Sequence, residues 1–411
     1  MNAGTSQAPG AGPLTGIVVV DLGRALAGPH AAMMLADLGA RVIKVEAPGG
    51  GDDTRGWGPP FVGPEGSRES TYFLSCNRNK ESVVLDLKDA GDHATLRAMI
   101  ERADVLVENF RTGVLDRLGL DTGRLLALNP RLVILSLTGF GHDGPEGGRA
   151  GYDQIVQGEA GLMSLTGPGP GEPQKAGVPI ADLLAGVHGA LGVVAALHER
   201  HETGRGQVVR ASLLSSIVAV HAFQGTRYTV AGELPHAQGN RHPSIAPYGL
   251  FRCKDGQVQI SVATEGLWQR FCALFEVSHA LPGLTTNDER VANRDSTDAF
   301  VEDLFAAHTA AELLPLLADA GIPAGVVRTL DEVYASPQVR SQGLVVEVDH
   351  ATLGRIRLPG PPLRFFTAGP TGEQECTYTA HAAPPVYGAD QDAVRAWASP
   401  DRTTQGIETT P

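Results

Sequence analysis

One carboxylate stands out for its setting. Asp182 follows the apolar run Val178-Pro-Ile-Ala181 and opens a glycine-spaced apolar stretch in which Gly186, Gly189 and Gly192 lie three apart. An aspartate at the head of a helix can serve two chemistries. Its carboxylate can accept the first free backbone N–H groups as a cap. Alternatively, the helix dipole can keep it ionised so that it attacks an electrophilic carbon as a nucleophile. A cap usually has polar, solvated neighbours. Here Val178, Ile180, Leu183, Leu184 and Val187 predict an apolar pocket with a single acid at its floor. That arrangement calls for a function without naming one.

Three loops rich in Gly and Pro, at 48–68, 139–152 and 167–171, flank this segment in sequence. Loops of this length in a compact domain tend to be lids or binding loops. The four cysteines, Cys76, Cys253, Cys272 and Cys376, show no metal-ligand spacing and read as free thiols of a reducing compartment, with no metal site. A net charge of −13 argues against nucleic acid as the main partner but leaves room for a local basic patch. The apolar run 183–197 is short and glycine-rich for a membrane span. With no leader pattern in residues 1–12, which read as a loose tail, the expectation is a soluble cytoplasmic protein.

The elements that must position these residues alternate. Residues 16–21 read as a buried strand, 30–38 as a helix and 41–46 as a second strand, which makes a right-handed βαβ unit. Strands at 82–87, 104–108, 132–137 and 207–211 and helices at 93–103 and 115–128 continue the pattern into a doubly wound, Rossmann-like α/β domain. Ligands are then expected at the carboxyl ends of its strands. The first turn, Leu22-Gly-Arg-Ala-Leu-Ala-Gly-Pro29, lacks the G-x-G-x-x-G spacing, which argues against a nicotinamide dinucleotide although Glu46 ends the second strand. The expected organisation is a loose tail at 1–12 and a large α/β domain from 13 to 212. A linker helix and loop follow at 213–246. A small α+β domain spans 247–320, with a hairpin turn at Lys254-Asp-Gly256. A return strand at 321–327 then leads into a C-terminal part of the large domain, 321–411.

Taken together, the ordered landmarks resemble the class III CoA-transferases, the family of formyl-CoA transferase, carnitine CoA-transferase and α-methylacyl-CoA racemase. They are Asp21-Leu-Gly-Arg-Ala-Leu-Ala-Gly-Pro29, Gly39-Ala-Arg-Val-Ile-Lys-Val-Glu46, Gly51-Asp-Asp-Thr-Arg55, Val107-Glu-Asn-Phe-Arg-Thr-Gly-Val-Leu-Asp-Arg-Leu-Gly119, Gly151-Tyr-Asp153, Ile180-Ala-Asp182, Thr203-Gly-Arg-Gly-Gln207, Gly239-Asn-Arg-His-Pro243 and Ser336-Pro-Gln-Val-Arg340. The resemblance covers about residues 14–395. It implies a large domain made from both chain ends, a small domain, and two such rings interlocked as a homodimer.

It also implies that Asp182 is the catalytic aspartate. CoA would pass from an acyl-CoA donor to a small carboxylic acid through aspartyl anhydride and aspartyl-CoA thioester intermediates. CoA and acyl-CoA would be substrates, with no permanently bound cofactor. The resemblance places Arg24, Ala25, Leu26 and Ala27 against CoA, largely through backbone, and Asn109, Phe110 and Arg117 around its adenine and phosphate ends. Without the resemblance, Arg117 reads as a solvated helix charge. Ala47 stands where the family carries a basic residue, so one phosphate contact is either missing or supplied by Arg55 or Arg78. Tyr152, Gly239 and Asn240 are the implied substrate contacts. The alternative is an acyl-CoA racemase or epimerase working at the α-carbon. That branch places a histidine where this chain has Tyr152, and a phenol with a pKa near ~10 is a poor base at neutral pH.

Overall fold

The computed structural model describes residues 12–369, 372–376, 378 and 380–399. The predicted tail therefore lies, apart from Gly12, outside the described residues. The chain divides into two compact units. The larger takes the chain up to Ala160, Gly177–Gly225 and the chain from Pro337 onward. The smaller takes Gly161–Ala176 and Thr226–Ser336.

In the larger unit, β1 (Val18–Asp21), β2 (Arg41–Glu46), β3 (Lys80–Val84), β4 (Val105–Glu108), β5 (Val133–Thr138) and β6 (Val208–Ser212) form one sheet in the order β3-β2-β1-β4-β5-β6. Every pairing is parallel. The runs are apolar because such a sheet is covered on both faces; Val19, Val20, Ile43, Val105, Leu106 and Leu135 are fully buried. Strand order reverses between β1 and β4, so the loops leaving these two strands lie side by side at the carboxyl edge.

Helices α1 (Ala27–Asp37), α2 (Ala90–Arg102), α3 (Asp153–Glu159) and α4 (Ile180–Thr203) follow in chain order. Leu96, Met99 and Ile100 of α2 share a core with Leu125, Val394 and Ala398. α1 packs on α4, which also lies over β5 and β6. The buried stripe of α4 is built of small residues, Ala181, Ala185, Gly186, Gly189, Ala190 and Ala196, with Val193 and Arg200. A Cβ on Gly186 would lie 2.9 Å from His30 Cδ2 and 3.0 Å from the Ala27 carbonyl, so glycine is what lets α1 and α4 approach.

Three expectations need correction. The helix expected over 115–128 is two, Val114–Arg117 and Thr122–Leu128; Gly119 turns left-handed at φ +70° and Asp121 caps the second by accepting from Arg124 N. Likewise 213–231 splits into Leu213–Ala219 and Ala222–Ala231. The segment 321–327 does not return to the larger unit. Its only strand, Ala324–Gly325, pairs antiparallel with Gln257–Ser261, and Ile322 is buried in the smaller unit's core with Trp268, Phe271 and Leu317. That unit is a three-stranded antiparallel sheet, the expected hairpin of Tyr248–Arg252 and Gln257–Ser261 plus this edge, packed with helices.

At 24 residues, α4 is long and apolar enough to cross a bilayer by length and composition, contrary to the reading of 183–197 as too short. A core helix passes the same test, and α4 presses its small-residue stripe onto α1.

Candidate active site

α4 starts at Ile180, after Pro179, without a cap from its own segment. The cap comes from α3. Asp153 Oδ1 accepts from Ala181 N at 2.8 Å and from Asp182 N at 3.4 Å, while Asp153 Oδ2 accepts from Gln157 Nε2 at 2.7 Å. Asp153 therefore satisfies the first free donors of α4, and Asp182, which lies inside the first turn, is not its cap. The expectation of a single acid is overturned, because two carboxyls meet at the head of α4. So is the expectation of a carboxylate kept ionised by the helix dipole. Burial, and then the charge of Asp153, push the Asp182 carboxyl from 3.8 up to about 7. A carboxyl poised there is ionised in a large fraction of molecules at neutral pH, and its anion is more basic than an ordinary aspartate's.

Its surroundings differ from the predicted pocket. Val178 and Val187 are exposed, the first at 53%. Burial and the charge of Asp182 push the Tyr72 phenol up to about 12, so this hydroxyl remains a neutral donor near both carboxyls. The Tyr72 ring meets Trp57 edge-on at 5.0 Å. Tyr152 is 67% exposed. Asp153 appeared in sequence only as the end of the Gly151-Tyr-Asp153 landmark and Tyr72 was not singled out; their relation to Asp182 exists only across the fold.

A second feature sits where β1 and β4 diverge. A cleft of about 720 Å³ is lined by Arg24, Ala47, Leu87, Lys88, Phe110 and Arg117, among others. The Arg24 guanidinium lies 5.4 Å from the centre of the Phe110 ring. Phe110 is held from below, its N–H donating to Glu108 Oε2 at 2.9 Å. Of the residues expected around CoA, Arg24, Phe110 and Arg117 line this cleft. Leu26 and Ala27 are buried, and Ala25 and Asn109 do not line it.

The basic residue expected to substitute at Ala47 is neither Arg55 nor Arg78. Arg55 is held by Glu46 at 2.7 and 2.8 Å and lies 3.6 Å from the centre of the Phe73 ring. Arg78 is buried, donating to Asp37 at 2.8 Å and to the Pro359 carbonyl at 2.9 Å. Both are consumed by the fold. Besides Arg24 and Arg117, the cation that lines the cleft is Lys88, which was not singled out from sequence. It follows strand β3 as Arg24 follows β1, and that position in the alternating pattern was the available signal.

Gly239 and Asn240 belong to the smaller unit. They line a cavity of about 1210 Å³ with Arg241, Arg294 and Asp298, in which Arg241 pairs with Asp295 at 2.9 Å and Asp298 at 2.7 Å.

The chain is similar to known proteins. The chain is 38% identical to human succinyl-CoA:glutarate CoA-transferase, over 86% of this chain and 80% of the relative. It is 39% identical to succinate–glutarate CoA-transferase of Agrobacterium fabrum, over 90% and 95%, and 37% identical to acetyl-CoA:oxalate CoA-transferase of Acetobacter aceti, over 88% and 91%. A crystal structure of a CAIB/BAIF family protein from Brucella suis superposes with a TM-score of 0.82 at 38% identity, covering 94% of this chain and all of the other. The sequence pattern of CoA-transferase family III matches residues 14–391, and the chain belongs to that family of class III CoA-transferase enzymes.

Proposed function

We propose that the enzyme moves CoA from an acyl-CoA to a free carboxylic acid through covalent steps on Asp182. The observation that carries this reading is a carboxyl inside the first turn of α4, not its cap, raised to about 7. An Asp182 oxygen attacks the thioester carbonyl, and the C–S bond breaks to give an aspartyl anhydride and CoA thiolate. The thiolate attacks the aspartyl carbonyl carbon, releasing the donor acid as its carboxylate and leaving an aspartyl-CoA thioester. The acceptor carboxylate attacks that carbon, and the steps run in reverse to restore Asp182. No proton enters or leaves the sequence of bonds. Tyr72, kept neutral, supplies a hydrogen bond to the developing oxyanions.

The cleft with Arg24, Lys88, Phe110 and Arg117 is assigned to the nucleotide end of CoA, where guanidinium and ammonium groups suit phosphates and Phe110 an aromatic base. The names of the relatives point to short dicarboxylic acids as donor and acceptor, succinate, glutarate and oxalate among them. The racemase reading gains nothing, since Tyr152 is exposed and Asp153 is engaged by the head of α4.

The test is trapping. Incubated with succinyl-CoA and hydroxylamine but no acceptor, the enzyme is expected to carry a hydroxamate on Asp182, found by peptide mass mapping. Turnover with Asp182 unmodified would sink the covalent route. Deuterium entering the α-carbon of the acyl group without any acceptor acid would favour racemisation instead.

We also propose a homodimer. Val187, Leu191 and Val194 form one outward stripe on α4, with Leu191 at 66% exposure, and a stripe of this kind marks an interaction face. Leu191→Asp should shift the mass in light scattering from two chains to one at working concentration. An unchanged mass for this variant, or a monomeric wild type, counts against the assignment.

A further inference from the structure

The turn that carries Arg24 is held from all sides. Gly23 N donates to Asp21 Oδ1 at 2.8 Å, and Lys44 Nζ donates to the Gly23 carbonyl at 2.8 Å. Asn109 takes both polar groups of Arg24: its Oδ1 accepts from Arg24 N and its Nδ2 donates to the Arg24 carbonyl, each at 2.8 Å. Ala25 N donates to Asp52 Oδ1 at 3.3 Å, and Cys76 Sγ donates to the Ala25 carbonyl at 3.6 Å. All six backbone polar groups of three consecutive residues thus bind side chains, which come from β1, β2, the Gly51–Arg55 loop, the end of the Thr71–Ser75 helix and the end of β4.

Ala25 is left-handed at φ +61°, a conformation costly for a residue with a Cβ, and it persists where the surroundings dictate it. The charges beneath are paired and dry. Lys44 meets Asp52 at 2.8 Å and Lys80 meets Asp21 at 2.9 Å, with all four side chains at most 1% exposed.

This arrangement has a consequence for binding. The N–H groups of Gly23, Arg24 and Ala25 are all engaged and have nothing to offer a phosphate, unlike the glycine loops that cradle phosphates by backbone. What the turn presents to the cleft is the Arg24 guanidinium. The resemblance implied contact with CoA largely through the backbone of Arg24–Ala27; in this chain the backbone polar groups of Arg24 and Ala25 are already taken by side chains.

We propose that Asn109 and Asp52 are positioning residues. They fix the Gly23–Ala25 turn and act on CoA through the guanidinium of Arg24, which makes the contact. This rests on reading the cleft as the CoA site. Asn109 is thereby moved from ligand contact to brace: both ends of its amide are used within the protein.

The test is a set of double-mutant cycles on the full-length protein, with CoA as the probe in titration calorimetry and far-UV circular dichroism to establish folding. Arg24→Ala should weaken CoA by about tenfold or more, as loss of a charge-assisted contact does. Asn109→Ala and Asp52→Asn should each weaken it by roughly three- to tenfold in the presence of Arg24. Neither should weaken it further in the Arg24→Ala background, because residues that act through one group are not additive. Asn109 is half-buried, so its variant carries the test alone if the buried Asp52 variant does not fold. Additive losses, or full CoA affinity in Asn109→Ala, would overturn the positioning role while leaving the cleft assignment intact. Arg24→Ala, Arg117→Ala and Lys88→Ala all binding CoA as wild type would instead remove the cleft assignment itself.

Discussion

Asp182→Ala is expected to lower kcat for CoA transfer by about 10⁴-fold or more, the scale of losing a covalent nucleophile, while CoA still binds and the circular dichroism spectrum is unchanged. On the proposed covalent route this carboxyl supplies the bond through which both halves of the exchange pass, and Asp153 is engaged instead by the backbone of α4 and by Gln157. The wild type should show the titration behind this. With a carboxyl at about 7 that must be ionised to attack, the donor half-reaction should rise with pH through neutrality and level off above it. Stopped-flow measurement of CoA release at a series of pH values checks the profile. Near-wild-type turnover in the Ala variant, or a rate flat from pH 5 to 8, would remove Asp182 from the chemistry.

The same variant is expected to be more stable than the wild type at pH 8. Asp182 is raised in the folded chain from 3.8 to about 7, so the folded state holds a proton that the unfolded state has lost across that window. Where the native state binds more protons, stability falls as pH rises. The wild type should therefore lose stability from about pH 4 to about pH 7 and carry the full penalty above. A shift of this size corresponds to at most about 4 kcal/mol, and partial solvent access brings it to about 2–3 kcal/mol. Asp182→Ala removes the penalty, so its advantage in chemical denaturation should be largest at pH 8 and nearly absent at pH 4. A variant less stable than wild type at pH 8 would mean that the carboxyl holds the fold together.

Much of the site was legible as residue identity and little of it as environment. Asp182 was found because a lone acid breaks an apolar, glycine-spaced run. Its partner Asp153 lies 29 positions earlier, and nothing local marks it as the cap of a distant helix. Arg24, Phe110 and Arg117 were placed near a ligand and do line one cleft. Arg55 and Arg78 were candidates for the same role and fail because Glu46 and Asp37 neutralise them inside the fold. Lys88, one of five lysines in the chain, was passed over.

For the fold, the sequence by itself determined the strand–helix alternation that makes the parallel sheet, and the hairpin at Lys254–Gly256, though not every element: the helix Asp153–Glu159 was not read from it. Those depend on local periods and turn residues, which each segment carries in its own composition. It also determined the family, through landmarks that are individually weak and jointly ordered. Only the tertiary structure decided where helices break, at Gly119 and Ala222, and which sheet receives Ala324–Gly325. Only the tertiary structure decided that Asp182 is half-protonated near neutrality and that the Arg24 turn keeps its N–H groups to itself. Desolvation, ion pairing and the satisfaction of backbone groups are set by atoms brought together from positions tens or hundreds of residues apart, and that proximity exists only once the chain has folded.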